Sequence, residues 1–506
     1  MPLDSAISAL LIGLSPADLL RRWPAHRPLA ALVSSDHDRP GTHQGRWSIL
    51  AEPRGWLSLE AQPASPPRWG WIPTSPLHTG ADRASDRPSL VHNPPVAAAS
   101  SFATKLNTSS SRNTSPLSLL RSLLPPSTPH PDLPFVGGFI ASFSYELGHL
   151  LEPAASSHPR FHPHWPLALL AWCPAALIHD RLTNLWSAVN LQNPADLAAA
   201  LPHSLAADPA GFDLGPLRAP TTARARYEAR VADAIDRIRA GEVYQVNLAH
   251  RLRATFAGSA RALAAVTLGR GRPPFAAYLD APDTPDRRRA LVSASPELFL
   301  DYRARTRAII TRPIKGTRPA SADPAELLHS AKDRAELDMI VDLMRNDLGR
   351  VCEFGSVRVT DRRTIERHAA VLQAVATITG TLRGDLDAID LIEAAFPAGS
   401  ITGAPKVQAM RTIEALEPLP RGPYCGSIGY LSACGNAALS VAIRTGLITG
   451  EPAAGGASAR DGFACARLDY HVGAGIVADS DPAAEWRETL AKARAWRALA
   501  TIKEAR

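Results

Sequence analysis

Strand-like segments in two parts of the chain, residues 241–300 and 422–480, constrain the fold more than any other feature. Gly241–Leu248 follows a predicted helix and turns directly into a strand, and Gly422–Leu431 and Leu439–Thr445 both resemble strands of a sheet. Between the two parts, apolar residues recur at helical spacing in Lys332–Asp347, and a further helix is predicted at Lys406–Leu416. The sequence therefore predicts a mixed fold in which sheets are joined by helices.

The first half of the chain is less regular, and most of the 45 prolines lie in it. From Gln62 to about Pro131, Pro, Ser and Thr dominate, and we expect part of this segment to be an insertion that buries little. A linker-like stretch at Pro216–Thr222 separates an N-terminal region, residues 1–215, from a C-terminal region, residues 216–506. The other predicted elements are a helix that begins at Ser15-Pro16, strands at Leu29–Val33, Trp47–Leu50 and Phe135–Glu146, one or two core strands at Leu167–Ile178, and a helix at Tyr227–Arg239.

Charge and cysteine content argue against several classes of protein. The net charge is +7, but basic and acidic residues are mixed, which is compatible with an anionic small substrate and not with a nucleic-acid surface. Five scattered cysteines without a CxxC pair argue against a disulfide framework and a zinc site, and they favour a reducing compartment. No signal peptide or membrane span is predicted. We therefore expect a cytoplasmic protein with neither a membrane nor a nucleic-acid partner.

Lys315 lies at the centre of the motif RPIKGTRP, residues 312–319, between an apolar residue and a glycine. The flanking prolines fix φ, and Gly316 has no Cβ, so a ligand could approach the backbone closely. A lysine held in this way is a possible nucleophile if burial or nearby cations lower the pKa of its amine. Taken alone, the motif fits a surface turn better, because short motifs often match by chance.

Two predicted helices each carry a pair of carboxylates on one face. Asp333 and Glu336 are three residues apart in the first helix, and Glu485 and Glu488 are three apart near the C-terminus. Two such pairs could hold one hard cation, since Mg²⁺ takes one or two direct carboxylates and keeps several waters. Without further context, two solvated acidic faces remain the simpler interpretation.

Three polar residues stand in otherwise apolar or strand-like segments. Glu297 lies between two apolar runs, where burial would raise the pKa of its carboxyl and allow it to act as a general acid. Arg444 lies in the apolar run Leu439–Thr445 and needs an anionic partner, from the protein or from a ligand. Gln245 shares one strand face with Asn247, which is either a solvent face or a polar wall towards a substrate.

The remaining motifs exclude nucleotide chemistry. In the loop Phe396–Lys406 the GxxxxGK[ST] spacing is absent, because Pro405 precedes the lysine. A loop of this composition that opens a helix can still bind a carboxylate through free N–H groups. Gly473-Ala474-Gly475 lacks the third glycine of a dinucleotide site.

Three histidines in a Pro-rich loop are expected to be exposed rather than metal ligands, since no carboxylate or cysteine accompanies them; they are His158, His162 and His164.

Taken in order, the motifs resemble a known family. The chain contains YQVNL, SPELF, PIKGTRP, KDRAELDMIVDLMRNDLGR, FPAGSITGAPK, RGPYCGSIGY, AIRTG, GAGIVADSD and EWRETLAK. This set is similar to the chorismate-utilising enzymes, which include the anthranilate, aminodeoxychorismate, isochorismate and salicylate synthases. The resemblance covers residues 224–503, and RWSILAEP and GGFIASFSYELG resemble the family's N-terminal segment. It implies an α+β fold of large, mainly antiparallel sheets stacked in a sandwich with helices outside, with interleaved N- and C-terminal parts.

The resemblance also implies a role for each candidate residue. Glu336 and Glu485 would bind Mg²⁺ directly, with Asp333 and Glu488 in its water shell. Lys315 would attack carbon 2 of chorismate, Glu297 would protonate the departing 4-hydroxyl, and ammonia would enter at carbon 4. The other implied residues would position the substrate and its carboxylates; they are Gln245, Ser400, Thr402, Tyr424, Arg444, Gly473, Ala474, Gly475 and Lys492.

Two positions indicate the branch of the family. Anthranilate synthases typically carry alanine where this chain has Lys315, and isochorismate synthases carry a water-activating lysine where it has Gln245. The resemblance therefore implies that chorismate and ammonia give 4-amino-4-deoxychorismate, a precursor of 4-aminobenzoate and folate. A histidine frequent in the family is replaced by Gln373, which agrees with an enzyme that stops before aromatisation.

The sequence shows no glutaminase-like segment, so ammonia is expected from a separate glutamine amidotransferase subunit. Two alternatives remain open. The chain could be an anthranilate-forming enzyme, against which Lys315 argues, or a non-catalytic homologue that only binds chorismate.

Overall fold

In the computed structural model, the described residues are 11, 13–24, 27–34, 45–62, 65–74, 115–125, 127, 128, 130–156, 158–191, 205, 211–284, 287–368, 371–453 and 462–500. They form two large antiparallel sheets with helices on the outer faces. Among the helices of this part, none is both long and apolar enough to cross a membrane.

The first sheet contains eleven strands of the described chain. They are β1 (Ala30–Val33), β2 (Trp47–Ala51), β7 (Ala175–Asp180), β8 (Leu185–Asn190), β9 (Phe212–Leu214), β10 (Gln245–Ser259), β11 (Phe275–Thr284), β12 (Arg287–Ser295), β18 (Gly403–Ala404), β21 (Thr445–Pro452) and β22 (Gly462–Ile476). The order is β18-β10-β22-β21-β12-β11-β1-β2-β7-β8, and β9 pairs with β10.

The second sheet also contains eleven described strands. They are β3 (Gly55–Gln62), β4 (Ser65–Pro73), β5 (Gly138–Phe143), β6 (Ala168–Cys173), β13 (Leu298–Arg303), β14 (Ala308–Arg312), β15 (Ile314–Pro319), β16 (Arg358–Arg367), β17 (Val371–Thr381), β19 (Ser427–Ser432) and β20 (Ala437–Val441). The order is β15-β17-β14-β13-β20-β19-β5-β6-β3-β4, and β16 pairs with β17. Both sheets combine strands from residues 1–215 and 216–506, so the two regions are interleaved.

Helices flank the sheets. They are α1 (Pro16–Arg22), α2 (Leu119–Leu123), α3 (Leu147–Leu151), α4 (Ala223–Arg239), α5 (Ala260–Gly271), α6 (Pro324–His329), α7 (Ala331–Gly349), α8 (Ala388–Ala395), α9 (Gly399–Thr402), α10 (Lys406–Leu416), α11 (Pro482–Lys492) and α12 (Arg494–Leu499), with a 3₁₀ turn at Pro153–Ala155. The predicted start of α1 is confirmed, because Ser15 and Asp18 form a capping box. The predicted bounds of α10 are also confirmed.

The core lies in three layers of apolar side chains. Strand residues alternate between layers, as the period of two requires: Leu291 of β12 faces the layer between the sheets, while Ala290 and Val292 face the helices outside the first sheet. In β5, Ile140 points between the sheets and Phe139 points to the outer helices of the second sheet. The predicted α+β sandwich of mainly antiparallel sheets is therefore confirmed.

Within the segment Gln62–Pro131, residues 65–73 form β4 and Leu120 of α2 is fully buried, so these parts do not belong to the expected insertion; residues 75–114 lie outside the described part. Two sequence-based expectations need correction. His162 is buried rather than exposed, and this burial lowers the pKa of its imidazole to about 3. Arg444 does not lie within a strand, since it occupies the bend between β20 and β21 with φ of 53°.

Candidate active site

The amine of Lys315 points into the interior of the C-terminal part. Lys315 lies on β15, directly after β14 and Pro313, and its Nζ donates a hydrogen bond to the carbonyl of Ser400 at 3.2 Å. Burial lowers the pKa of this amine, although the negative charges of Glu336 and Glu297 oppose the shift. Gly316 is required beside it, because its φ is 82° and a Cβ would lie 2.9 Å from Cγ of Asp333. The surface-turn interpretation of the motif is thus excluded.

Glu297 is a buried carboxylic acid in the same site. It connects β12 to β13, and its backbone is fixed because its carbonyl accepts from Val441 N at 3.0 Å. Burial raises the pKa of its carboxyl to about 7, while Ser400, Lys315 and Arg444 act in the opposite direction. The Ser400 hydroxyl is near the carboxyl without forming a well-aligned hydrogen bond. A carboxyl with this pKa is partly protonated at neutral pH and can donate a proton.

Two glycines of β22 leave space for the site. A Cβ on Gly475 would lie 2.5 Å from Nε2 of Gln245 and 3.3 Å from Nζ of Lys315. A Cβ on Gly473 would lie 3.0 Å from the Tyr424 hydroxyl. Ala474 points to the other face and is packed in the core, so only its backbone can belong to the site.

Gln245 and Arg444 are polar groups that have no partner of their own in the described part of the chain. Gln245 is fully buried, and neither its amide nitrogen nor its amide oxygen has a hydrogen-bond partner there. Arg444 lies close enough to Glu297 to affect its pKa, but its guanidinium forms no ion pair with a described residue. Buried polar groups are normally satisfied, so the Gln245 amide indicates a polar ligand, and the half-buried Arg444 guanidinium is suited to bind an anion.

The four predicted carboxylates share one electrostatic neighbourhood, but they are not equivalent. Burial raises the pKa of Glu336 on α7, and nearby Asp333 and Glu488 raise it further. Burial likewise raises the pKa of Glu485 on α11, and Glu488 adds to the effect, although a hydrogen bond from Ser480 opposes it. The two directly ligating candidates are therefore carboxylates that a cation would stabilise in ionised form.

Asp333 and Glu488 already have cationic partners. Asp333 accepts a hydrogen bond from Arg318 at 2.8 Å, and Glu488 forms a 2.8 Å ion pair with Lys492. Lys492 in turn donates to the carbonyl of Gly473 at 2.9 Å, which links the acidic helix α11 to the glycine-bearing strand β22.

The donor set fits Mg²⁺ in chemistry. Carboxylate oxygens are the ligands that this hard cation prefers, and waters complete its shell. No three His, Cys, Asp or Glu side chains in the described ranges are close enough together to hold a metal ion as they stand. The fit therefore rests on Glu336 and Glu485, whose carboxyl pKa values are raised mainly by desolvation and further by the charge of Glu488, while nearby lysines oppose the shift.

The loop that carries Ser400 is held in place by a hydrogen bond within α9 and by an ion pair to α7. Thr402 is fully buried, and its hydroxyl donates to the carbonyl of Ala398 at 3.2 Å, so this side chain is used within α9. Lys406, at the start of α10, forms a buried ion pair with Asp347 of α7 at 2.7 Å. The loop is thereby tied to the helix that carries Glu336.

Sequence reasoning missed Lys332. Its charge acts on Glu336, Glu485 and Glu488, and it lies four residues before Glu336 on α7. The i, i+4 spacing in the sequence was a signal that could have placed it beside the carboxylates.

Fold and site together define an α+β enzyme that holds a half-buried lysine and a buried carboxylic acid beside groups suited to a polyanionic small molecule. The chain belongs to the chorismate binding enzyme family, which it matches over residues 82–498.

Relatives from two branches of this family are similar to the chain. It is 41% identical to aminodeoxychorismate synthase component 1 of Klebsiella aerogenes over 373 residues, which covers 72% of this chain and 77% of the relative. It is 34% identical to anthranilate synthase component 1 of Streptomyces coelicolor over 504 residues, or 93% and 90% of the two chains. The crystal structure of anthranilate synthase component I from Streptococcus pneumoniae superposes with a TM-score of 0.67 at 26% identity, covering 91% of this chain and 95% of that one.

Proposed function

We propose that the chain converts chorismate and ammonia to 4-amino-4-deoxychorismate, for the synthesis of 4-aminobenzoate and folate. The observation that carries the proposal is the position of Lys315, a half-buried residue whose amine is hydrogen-bonded to the Ser400 carbonyl and lies close enough to Glu297 to lower the pKa of its carboxyl. The similarity to aminodeoxychorismate synthase component 1 supports the same reaction.

The first step replaces the 4-hydroxyl of chorismate by a bond to the enzyme. Burial keeps a fraction of Lys315 as the neutral amine, which attacks carbon 2. The ring double bonds shift, the bond between carbon 4 and oxygen breaks, and Glu297 gives its proton to the departing oxygen, which leaves as water. The enzyme now carries the ring on a secondary ammonium, and Glu297 is a carboxylate.

The second step returns the ring double bonds to their original positions. Ammonia attacks carbon 4, the double bonds move back, and the bond between carbon 2 and Lys315 breaks with its electron pair returning to the amine. The new ammonium on carbon 4 returns one proton to Glu297. The balance is chorismate plus ammonia to 4-amino-4-deoxychorismate plus water.

The substrate is held by the polar groups around this pair. Arg444, which has no described ion-pair partner, binds a carboxylate, and Tyr424, Lys492 and the backbone of Gly473 and Gly475 line the rest of the site. Glu336 and Glu485 would hold Mg²⁺, with Asp333 and Glu488 at its waters, and the bound ion would polarise the ring carboxylate. Gln245 stands where isochorismate and salicylate synthases carry a lysine that activates water, so an amine is favoured over water as the nucleophile.

Ammonia is supplied by a separate glutamine amidotransferase. The component 1 designation of the relatives supports a two-component assembly. The isolated chain should therefore use ammonium salts directly and should not use glutamine.

Anthranilate formation is the second candidate, and the similarity to anthranilate synthase component 1 over 504 residues favours it. Purified protein with chorismate, Mg²⁺ and ammonium decides between the two. Aminodeoxychorismate detected by mass spectrometry supports the proposal, anthranilate detected by fluorescence supports the alternative, and chorismate binding without turnover indicates a non-catalytic homologue.

Two variants of Lys315 test the nucleophile. Lys315→Ala removes the amine, and Lys315→Arg keeps a cation that cannot be deprotonated. Both should lower kcat by at least about 10²-fold, since covalent catalysis is lost. Without ammonia, the native protein should gain the mass of one chorismate less one water, and neither variant should. An undiminished rate in Lys315→Ala would refute the role.

A further inference from the structure

Arg421 and Glu417 form a fully buried ion pair just below the site, outside the groups that touch the substrate. Arg421 is 1% exposed, and its Nη2 and Nε donate to the two carboxylate oxygens of Glu417 at 2.6 and 2.9 Å. Its guanidinium also lies 4.6 Å from the ring centre of Tyr145. A planar fork of this kind fixes direction as well as distance.

The pair completes an interrupted sheet edge. Strand β18 pairs with β10 only at Gln245 and Val246. Beyond that point the same edge carries the carbonyl of Asn247 and the amide of Ala249. Arg421 Nη2 donates to the Asn247 carbonyl at 2.6 Å, and Glu417 accepts from the Ala249 amide at 2.8 Å. The two side chains thus take the place of the missing strand.

The same arginine also reaches the loop that holds the nucleophile. Its Nη1 donates to the carbonyl of Ile401 at 3.1 Å, and the Asn247 side chain donates to the same oxygen at 3.3 Å. The preceding carbonyl, that of Ser400, accepts the hydrogen bond from Lys315 Nζ. The Arg421 guanidinium is therefore bonded to backbone on both sides of the Lys315 amine. One contact is with β10, which carries Gln245, and the other is with α9, which carries Ser400.

We propose that Arg421, fixed by Glu417, is a positioning residue that sets the Ser400 carbonyl and, through it, the direction of the Lys315 amine. This inference rests on the proposed function, in which Lys315 is the nucleophile. A small displacement of the reacting nitrogen lowers the rate of bond formation strongly, while the groups that bind the substrate stay in place.

The matched control is Arg261, a second buried arginine. It is also 1% exposed, and it donates to the carbonyls of Trp23 at 2.7 Å, Pro24 at 3.1 Å and Arg27 at 3.1 Å. These contacts join α5 to the N-terminal segment and involve no residue of the site. Arg261→Lys therefore measures what losing a buried guanidinium does to the fold alone.

Arg421→Lys keeps the charge but cannot serve all four acceptors. We expect kcat for aminodeoxychorismate formation with ammonium to fall about 10- to 100-fold, with KM for chorismate within about threefold of the native value. Arg261→Lys should leave kcat per folded molecule within about twofold, whatever it does to the melting temperature. A kcat within threefold of native in Arg421→Lys, or equal losses in both variants, would overturn the inference. If Arg421→Lys does not fold, Glu417→Gln, which keeps an acceptor, replaces it under the same criteria.

A second measurement does not depend on turnover. Acetic anhydride acetylates lysines, and mass spectrometry gives the rate at Lys315 relative to exposed Lys332. In Arg421→Lys, the Lys315 amine should lose its hydrogen bond to the Ser400 carbonyl and be acetylated at least about threefold faster. In Arg261→Lys, the rate at Lys315 should match that of the native protein. An unchanged ratio would contradict the positioning role. If the native protein makes no aminodeoxychorismate, the proposed function fails, and this ratio still decides whether Arg421 positions Lys315.

Discussion

Gly475 lies diagonally opposite Gln245 across the β10–β22 pair, where its direct partner is Asn247, and a single methyl group on Gly475 would occupy the space of the Gln245 amide. A Cβ on Gly475 would lie 2.5 Å from Nε2 of Gln245 and 3.3 Å from the Lys315 amine. Gly475→Ala should therefore displace these flexible side-chain ends rather than the backbone. We expect kcat/KM to fall at least about tenfold, with a melting temperature within a few degrees of native.

Gly349→Ala is the control for this prediction. Gly349 is the last residue of α7, and nothing lies within 4 Å of a Cβ placed there. This variant should keep native kcat/KM in the same ammonium-dependent assay. Full activity in Gly475→Ala would show that the Gln245 amide and the Lys315 amine do not need this space.

Burial of the Glu297 carboxyl should make the stability of the protein depend on pH. Its pKa is raised from 4.5 unfolded to about 7 folded, so the folded state holds the proton more tightly. Stability should fall as pH rises from about 4.5 to about 7 and then level off. Glu297→Gln removes this dependence, so it should be more stable than native above pH 7 by on the order of 3 kcal/mol and nearly equal near pH 4.

Chemical denaturation at pH 4.5, 6 and 8 measures the difference. Glu146, whose pKa burial also raises to about 7, is present in both proteins, so its contribution cancels. The same variant should lose the general acid, and kcat should fall about 10²-fold or more. In the native protein, the rate should decline as pH rises through about 7, because Glu297 loses its proton. A constant stability difference across this pH range would refute the raised pKa.

The family was more predictable from the sequence than the geometry of the candidate site. Lys315, Glu297 and the acidic pairs are ambiguous when taken one by one, and the order of the motifs identified the family. The close approach of Gly475 to Gln245 depends on the register between β10 and β22, whose paired residues are more than two hundred positions apart. Local spacing carries no information about such a pairing.

The same reason explains the errors. His162 is in a proline-rich loop that looks exposed, yet tertiary contacts bury it. Arg444 stands in an apolar run, but β20 already ends at Val441 and Arg444 itself has a φ of 53°. Thr402 remains a predicted substrate-binding residue, and its hydroxyl also donates a hydrogen bond within α9 that the sequence does not reveal. Burial and bond partners are set by elements far away in the chain.

Gln373 should influence where the reaction stops. It lies on β17, opposite Thr317 of β15, two residues from Lys315 along the chain. Its side chain is buried, and its Oε1 has no partner in the described residues. An amide cannot supply the imidazolium that would assist loss of pyruvate. We expect Gln373→His to raise the anthranilate share of the product, measured by fluorescence after chromatography, and an unchanged product distribution would remove this role.

Turnover should depend on Mg²⁺, and this dependence should require the carboxylates of Glu336 on α7 and Glu485 on α11. Removing divalent ions with EDTA should abolish turnover, and Mg²⁺ should restore it. Glu336→Gln and Glu485→Gln each remove one ligating charge, so the Mg²⁺ concentration for half-maximal rate should rise at least about tenfold. Asp342→Asn is the control, because Asp342 is on α7 with its side chain 74% exposed and should leave that concentration unchanged. Equal Mg²⁺ requirements in Glu336→Gln and Asp342→Asn would place the cation elsewhere.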